Sequence, residues 1–424
     1  MHARCAGKGC AHQSECWLRN RWPCPVCGSR QIERLHTQRF VLEDGHPLSD
    51  GYDVVHCASC GFVYADVSAS QADYDAFYAE LSKYDDAATS TGSGESPLDR
   101  ERLAETAAIV RDMLPSGEVR ILDIGCAGGG LLDALQQRGY RNLVGVDPSL
   151  TCARLTREKT GEAYHGWVTS LPSQIGTFDC VILSHVLEHV LDVPSAIIAL
   201  HSLLREGALV YLEVPDAVRY ADHVYAPFQD FNTEHINHFS SRSLDNAMES
   251  RGYAAAGGGQ RLLHSSACTY TPAVYRVYRW AGASVAVNPD LALKPAILRY
   301  IERSSALLET IDACIREALA SSQELIVWGT GQLTLKLLAE TCLSQARITA
   351  FVDSNPIHQG RRLAGAPILA PGAIRDYRQP ILIGTMLHHR EILSQIEKLG
   401  LEHRIILLPE AVPEYSADCP DSST

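Results

Sequence analysis

The sequence predicts an α/β protein: a small cysteine-knuckle ribbon at the N-terminus, then two Rossmann-like units. Three observations predict it. Two Cys-x-x-Cys-Gly elements stand in the first sixty residues, at 24–28 and 57–61. Two separate stretches then alternate short apolar runs with helical segments: VRILDI, NLVGVD, FDCVILS and GALVYLEV in the first, ELIVWG, ITAFVD, PILIGT and RIILLP in the second. That alternation is the mark of doubly wound sheets. Each stretch also opens with a strand that enters a glycine-containing turn and then a helix, at 125–130 and 329–331.

Composition fits this class and excludes others. The chain has 424 residues, 46% apolar and 21% charged, near the globular average. A formal net charge of −13 speaks against sequence-independent binding to a phosphate backbone, so nucleic acid is not the expected partner. Residues 1–39 are the exception, with seven Arg or Lys against two Glu, which leaves a nucleic-acid substrate, with the ribbon as reader, as an alternative. No apolar run of ~18 residues predicts a membrane span, and no apolar stretch near Met1 reads as a secretory signal. A cytoplasmic protein is expected, whose cysteines serve as metal ligands or buried groups before disulfides.

The knuckles come first in chain order. Cys24, Cys27, Cys57 and Cys60 supply two thiolates from each side, the set that a structural Zn2+ wants in a tetrahedron. The glycine after each pair permits the left-handed turn that aims backbone N–H groups at sulfur. Strand-like runs at 39–42 and 52–55 complete a zinc ribbon. Cys5, Cys10, Cys16 and His12 fit no common ligand spacing and read as part of an extension. Aromatic residues recur over 71–84 in a helical setting, at Tyr74, Phe77, Tyr78 and Tyr84. Residues 87–97 read as a loop, and 98–114 as a helix stopped by Pro115. The expected organisation is a zinc ribbon with its extension over 1–70 and a first Rossmann-like domain with leading helices over 71–265. A helical linker over 266–322, a C-terminal Rossmann-like domain over 323–412 and a disordered tail over 413–424 follow.

The first glycine turn carries the chemistry. Asp123, Gly125 and Gly129 fit a D-x-G-x-(G/A)-x-G frame, with Cys126 and Ala127 inside it. Such a turn lets a backbone approach a ligand at a helix N-terminus. Asp147, followed by Pro148, ends the next strand, where a carboxylate can accept both hydroxyls of a ribose. The frame alone suits a dinucleotide or S-adenosylmethionine. The leading Asp123, able to hold an ammonium, favours the latter, as do the fourth strand that ends at Ser184 and the fifth strand after an amphipathic helix. His185 to His189 spells H-x-x-E-H, the letters of a metalloprotease motif. In this position it is read as the lining of the donor pocket by His185 and His189.

Together these segments resemble class I S-adenosylmethionine-dependent methyltransferases over about 98–263. Trp167 and Val168 match the place where that family lays residues against adenine. The whole order resembles the zinc-containing nucleotide-sugar C-methyltransferases, with IVWGTGQLTLKLL and FVDSNPIHQGRRLAGAPILAP matching their C-terminal domain. The resemblance implies that a ketosugar nucleotide is deprotonated beside its carbonyl and takes the methyl group. In FNTEHINHFS, His235 matches the family's base within its Y-x-E-H pattern, with Glu234 orienting it. His238 and Tyr225 are further catalytic candidates, and a metal site here is a lesser reading. The family's Tyr is replaced by Asn232, which leaves C-, O- and N-methylation open. Gly329, Thr330 and Gly331 read either as a cradle for the nucleotide diphosphate or as a tight turn.

Overall fold

The computed structural model describes residues 22–80, 92–114, 117–266 and 269–409. Cys5, Cys10, His12, Cys16, Tyr84 and the expected tail lie outside them. Strands β1 (Ile32–Arg39), β2 (Gly51–Cys57) and β3 (Val63–Asp66) form an antiparallel meander with the two cysteine turns at one end. The expected strand at 39–42 is a correction: only Arg39 is in β1. Beyond it Phe40 N–H bonds Asp50 O and Val41 N–H bonds Leu335 O, which diverts the chain out of the ladder toward the C-terminal unit.

Helix α1 (Gln71–Glu80) and helix α2 (Pro97–Met113) follow. Ser96 caps α2 by accepting from Asp99 N–H, and Pro97 occupies the first turn, where its missing N–H costs nothing. The central sheet then builds as β4 (Arg120–Ile124), α3 (Gly130–Gln136), β5 (Asn142–Asp147), α4 (Leu150–Thr160), β6 (Ala163–His165), β7 (Phe178–Ser184), α5 (Val193–His201) and β8 (Leu204–Pro215). Strand β9 (Asn237–His238), which lies outside this sheet, and helix α6 (Ser241–Glu249) follow, and the hairpin of β10 (Tyr253–Ser266) with β11 (Thr269–Trp280) completes it. The seven-stranded order is β10-β11-β8-β7-β4-β5-β6, parallel from β6 to β8 and antiparallel beyond. Strand order reverses at β4, and the crevice beyond its carboxyl end is where open α/β sheets bind ligands.

The expected helical linker over 266–322 is corrected in its first half. Residues 269–280 are strand β11, which pairs with β8 over Arg279 to Ala273. The helical part is α7 (Leu293–Ser321), a 29-residue helix whose buried face includes Tyr300, Ile311 and Ile315. Beyond it β12 (Glu324–Trp328), α8 (Gln332–Glu340), β13 (Arg347–Val352), β14 (Arg362–Leu363), β15 (Ala366–Leu369), β16 (Ile381–Ile383), α9 (His389–Lys398) and β17 (Ile405–Ile406) make a second sheet. Its order is β14-β15-β13-β12-β16-β17, with the glycine turn again after its central strand β12.

The units share a core. One buried cluster runs from Cys24 and Val26 in the knuckle through Val214 and Phe239 to Leu408. Two-residue strand β9 joins β3 as a fourth strand of the ribbon sheet, pairing His238 with Val63 and Asn237 with Tyr64. Lys336 of α8 is 2% exposed. It reaches Gln38 of β1 and Glu340 and lies 4.2 Å over the Phe228 ring. Among the described residues no helix is long and apolar enough to cross a membrane.

Candidate active site

The glycine turn after β4 is shaped by backbone demands. Gly125 and Gly129 have φ of +77° and +79°, and Ala127 joins them at +45°. A Cβ on Gly125 would meet Val186 Cγ2, so the turn needs glycine for space as well as for conformation. Asp147 fixes the turn from the end of β5: its Oδ2 accepts Ala127 N–H at 2.8 Å and its Oδ1 accepts Ser149 N–H at 2.8 Å. Cys126 is buried, with its thiol pushed up by burial. Thr156 Oγ1 donates to Ala127 O at 2.8 Å and so ties α4 to the turn.

Asp123 is 3% exposed, and burial, helped by the charge of Asp147, pushes its carboxyl up to about 8. Two neighbouring buried carboxylates favour a cationic ligand. Pro148 O lies 2.9 Å from His165 Nε2. Val168 is buried, and the half-buried Trp167 sits edge-on to Tyr78 with centroids 5.4 Å apart. Ser184 closes β7 beside Glu213.

His185 follows in the left-handed region, φ +57°. Its Nδ1 lies 3.3 Å from Glu188 Oε1 and its Nε2 3.3 Å from Glu213 Oε1. Burial pulls the imidazole pKa down, but the two carboxylates outweigh it and raise it to about 9. Glu213 is held down at about 2 against its own burial by His185, Arg261 and Tyr211. No α-helix opens at His185: residues 187–189 form a single 3₁₀ turn, and α5 begins at Val193 behind an Asp192 cap.

The candidate catalytic segment, residues 231–240, converges on that turn. His189 Nδ1 lies 3.1 Å from Glu234 O and 3.1 Å from Tyr78 Oη. The His189 and His235 rings stand perpendicular at 4.8 Å. Asn232 Oδ1 accepts both Glu234 N–H at 2.9 Å and His235 N–H at 2.8 Å, while Tyr52 of β2 donates to Asn232 O at 2.9 Å. Asn232 therefore clamps the backbone of the Glu-His pair. Gln332, first residue of α8, makes a reciprocal pair with Thr233: it accepts Thr233 N–H at 3.3 Å and donates to Thr233 Oγ1 at 2.8 Å. The second glycine turn is thereby brought beside the first unit's catalytic segment. Thr330 there donates through N–H and Oγ1 to Asp353 Oδ2 at 2.9 and 2.6 Å.

The sequence groups Glu234 with His235 and assigns His189 to the donor pocket; the structure sets His189 against both, through Glu234 O and the His235 ring. His238 is a correction. It is fully buried beside Phe231 and Tyr220, burial drives its pKa to about 3, and it serves β9 as a neutral core residue. Tyr225 is half-buried, its N–H held by Gln229 Oε1 at 2.8 Å. Tyr78, Asn232 as a clamp and Gln332 were missed. Only Tyr78 left a signal, as one of the aromatic residues recurring along α1.

The four knuckle cysteines meet as expected. Their sulfurs lie within 4.8 Å of one another, with Cys24–Cys60 and Cys27–Cys57 both at 3.5 Å. Gly28 and Gly61 take φ of +72° and +81°. A tetrahedral zinc with ~2.3 Å bonds spaces its sulfurs by about 3.8 Å.

Residues 72–256 match the family described as "Methyltransferase domain". Over these residues the chain carries a methyltransferase domain. Residues 321–407 match the family described as "C2185-like, N-terminal". The methyltransferase chain is similar to the ubiquinone biosynthesis O-methyltransferase of Pseudomonas aeruginosa (strain UCBPP-PA14), 39% identical over 100 residues, 22% of this chain and 43% of that protein. It is similar to the enzyme of the same name from Methylocella silvestris, 36% identical over 103 residues, 23% of this chain and 40% of that protein. The chain thus spans less than half the length of these relatives. Among solved structures it is similar to Burkholderia thailandensis 1,6-didemethyltoxoflavin-N1-methyltransferase with bound 1,6-didemethyltoxoflavin and S-adenosylhomocysteine. The TM-score is 0.38 at 17% identity, over 53% of this chain and 96% of that one.

Proposed function

We propose that the protein transfers the methyl group of S-adenosylmethionine to a nucleotide-linked sugar or a related small molecule. The observation that carries this reading is the convergence of His235, His189, Glu234 and Tyr78 on the turn that closes the donor crevice. The donor brings an activated methyl on sulfonium. The protein's tasks are to align it with the acceptor and to take a proton.

In this reading Gly125, Cys126, Ala127 and Gly129 form the backbone cradle. Asp147 and Pro148 meet the ribose side, and Trp167 and Val168 the adenine. Asp123, poised to give up its proton beside a cation, meets the ammonium, and Ser184, His185 and His189 line the methyl end. His235 takes the acceptor proton, with its backbone fixed by Asn232. The acceptor lies between the catalytic segment and the C-terminal glycine turn, which Gln332 holds together. Cys24, Cys27, Cys57 and Cys60 hold a structural Zn2+, and the ribbon it ties supports Asn232 through Tyr52.

A second reading, methylation at oxygen in another small molecule, is favoured by Asn232, which brings no phenol to the base, and by the names of the curated relatives. Calorimetry with S-adenosylhomocysteine and a mass-shift screen of nucleotide-sugars test the proposal. A gain of one methyl that is lost in His235→Ala, with donor affinity intact, is expected. No donor binding would refute it, and loss of donor affinity in His235→Ala would make that residue part of the donor pocket.

A further inference from the structure

A second set of metal-type donors converges among the described residues, away from the knuckle. Glu188, His189 and His235 each place a ligand atom within 4.8 Å of the others. Glu188 is 1% exposed, and neither of its carboxylate oxygens accepts a hydrogen bond. His185 Nδ1 lies 3.3 Å and His189 Nε2 3.9 Å from its Oε1. His185 forms an ion pair with Oε1, and the buried Oε2, with no hydrogen-bond partner, can take a second cation.

The histidine beside it is oriented to help supply one. Glu234 O can only accept, so the 3.1 Å contact puts the hydrogen of His189 on Nδ1. Nε2 then faces Glu188 Oε1 at 3.9 Å. A ring N–H held by a backbone carbonyl is how metal-bound histidines are usually fixed. Charge agrees: Glu188, Glu213 and Glu234 are buried here against His185 and Arg261. The arrangement is not that of an H-x-x-E-H metalloprotease, because His185 faces two carboxylates and is not among the converging donors.

We propose that Glu188, His189 and His235 form a binding site for a divalent transition cation of the zinc class, separate from the four-cysteine site. Two imidazoles and one carboxylate make an open site, with room for a further oxygen ligand. One consequence rests on the reading of His235 as the base. A ring nitrogen that binds a cation accepts no proton, so occupancy slows methyl transfer.

Titration of the full chain with Co2+, followed by visible absorption, tests the site. Thiolate-bound Co2+ gives intense bands, whereas a nitrogen and oxygen set gives weak ones. One further equivalent with weak bands is expected, bound at least tenfold more weakly in Glu188→Gln and in His189→Ala, with circular dichroism confirming that both variants fold. Absence of that equivalent, or its retention in both variants, would overturn the site. Added Zn2+ should slow transfer to an acceptor found in the screen, and undiminished transfer on a loaded site would overturn the consequence. Failure of the methyl-transfer reading itself is seen separately, as loss of S-adenosylhomocysteine binding by the unmodified protein.

Discussion

Asp230 gives the sharpest test of the electrostatics around the catalytic segment. It is 5% exposed, and its N–H donates to Tyr300 Oη at 2.8 Å. Its Oδ2 accepts no hydrogen bond, and Phe231 packs 5.0 Å from the Tyr300 ring next to it. Burial pushes its carboxyl from 3.8 to about 7, with Tyr300 and Gln229 offsetting part of the effect. A carboxyl raised on folding stabilises the native state while it holds its proton. That contribution is complete below the unfolded pKa and is lost as pH rises through about 7. The shift is 7 − 3.8 = 3.2 units, and at about 1.36 kcal/mol per unit the loss totals on the order of 4 kcal/mol. Somewhat under half of it has gone by pH ~5.

Asp230→Asn keeps the shape and cannot ionise. Relative to wild type it should gain about 2–3 kcal/mol between pH ~5 and pH ~8.5. Urea unfolding followed by tryptophan fluorescence at several pH values reads this directly. Parallel stability curves, separated by a constant offset, would show that Asp230 does not titrate as its burial requires.

Three other perturbations probe different parts of the site. Asn232→Ala removes the acceptor of two backbone N–H groups and should lower turnover roughly tenfold or more, at ~1–2 kcal/mol for such a cap, whereas Asn232→Asp should retain most of it; equal loss in both would dismiss the clamp. Gly125→Ala forces a Cβ against Val186 at φ +77° and should abolish S-adenosylhomocysteine binding in calorimetry. His358 Nδ1 meets Glu43 Oε1 at 2.6 Å, and that contact raises its pKa against burial. The melting advantage of wild type over Glu43→Gln should therefore be full below pH ~6.5 and fade as pH rises through the raised value.

The sequence reveals most where a local pattern suffices. The parallel strands around β4 are continuous apolar runs, buried on both faces, and were legible for that reason. Strand β11 was not: TYTPAVYRVYRW carries aromatic and β-branched residues but also Pro272 and two Arg, with no apolar run. The knuckle was legible because its four cysteines come in two fixed pairs. The cluster of Tyr78, His189 and His235 was only half visible, because its contacts cross 111 and 45 residues of chain. His238 shows the converse error. Its letter suggested chemistry, but pairing with Val63 turned it into the core.

The pairing of β3 with β9 bears on how the chain assembles during synthesis. The ribbon is made first, yet the strand that completes its sheet and the Asn232 carbonyl that receives Tyr52 come much later, the latter 180 residues on. An exposed edge must wait through the making of most of the central sheet, and waiting edges invite wrong partners. A cation clamped early in the knuckle would hold the meander in register over that interval. Metal supply during translation, more than metal bound to the finished protein, would then set the yield of active enzyme.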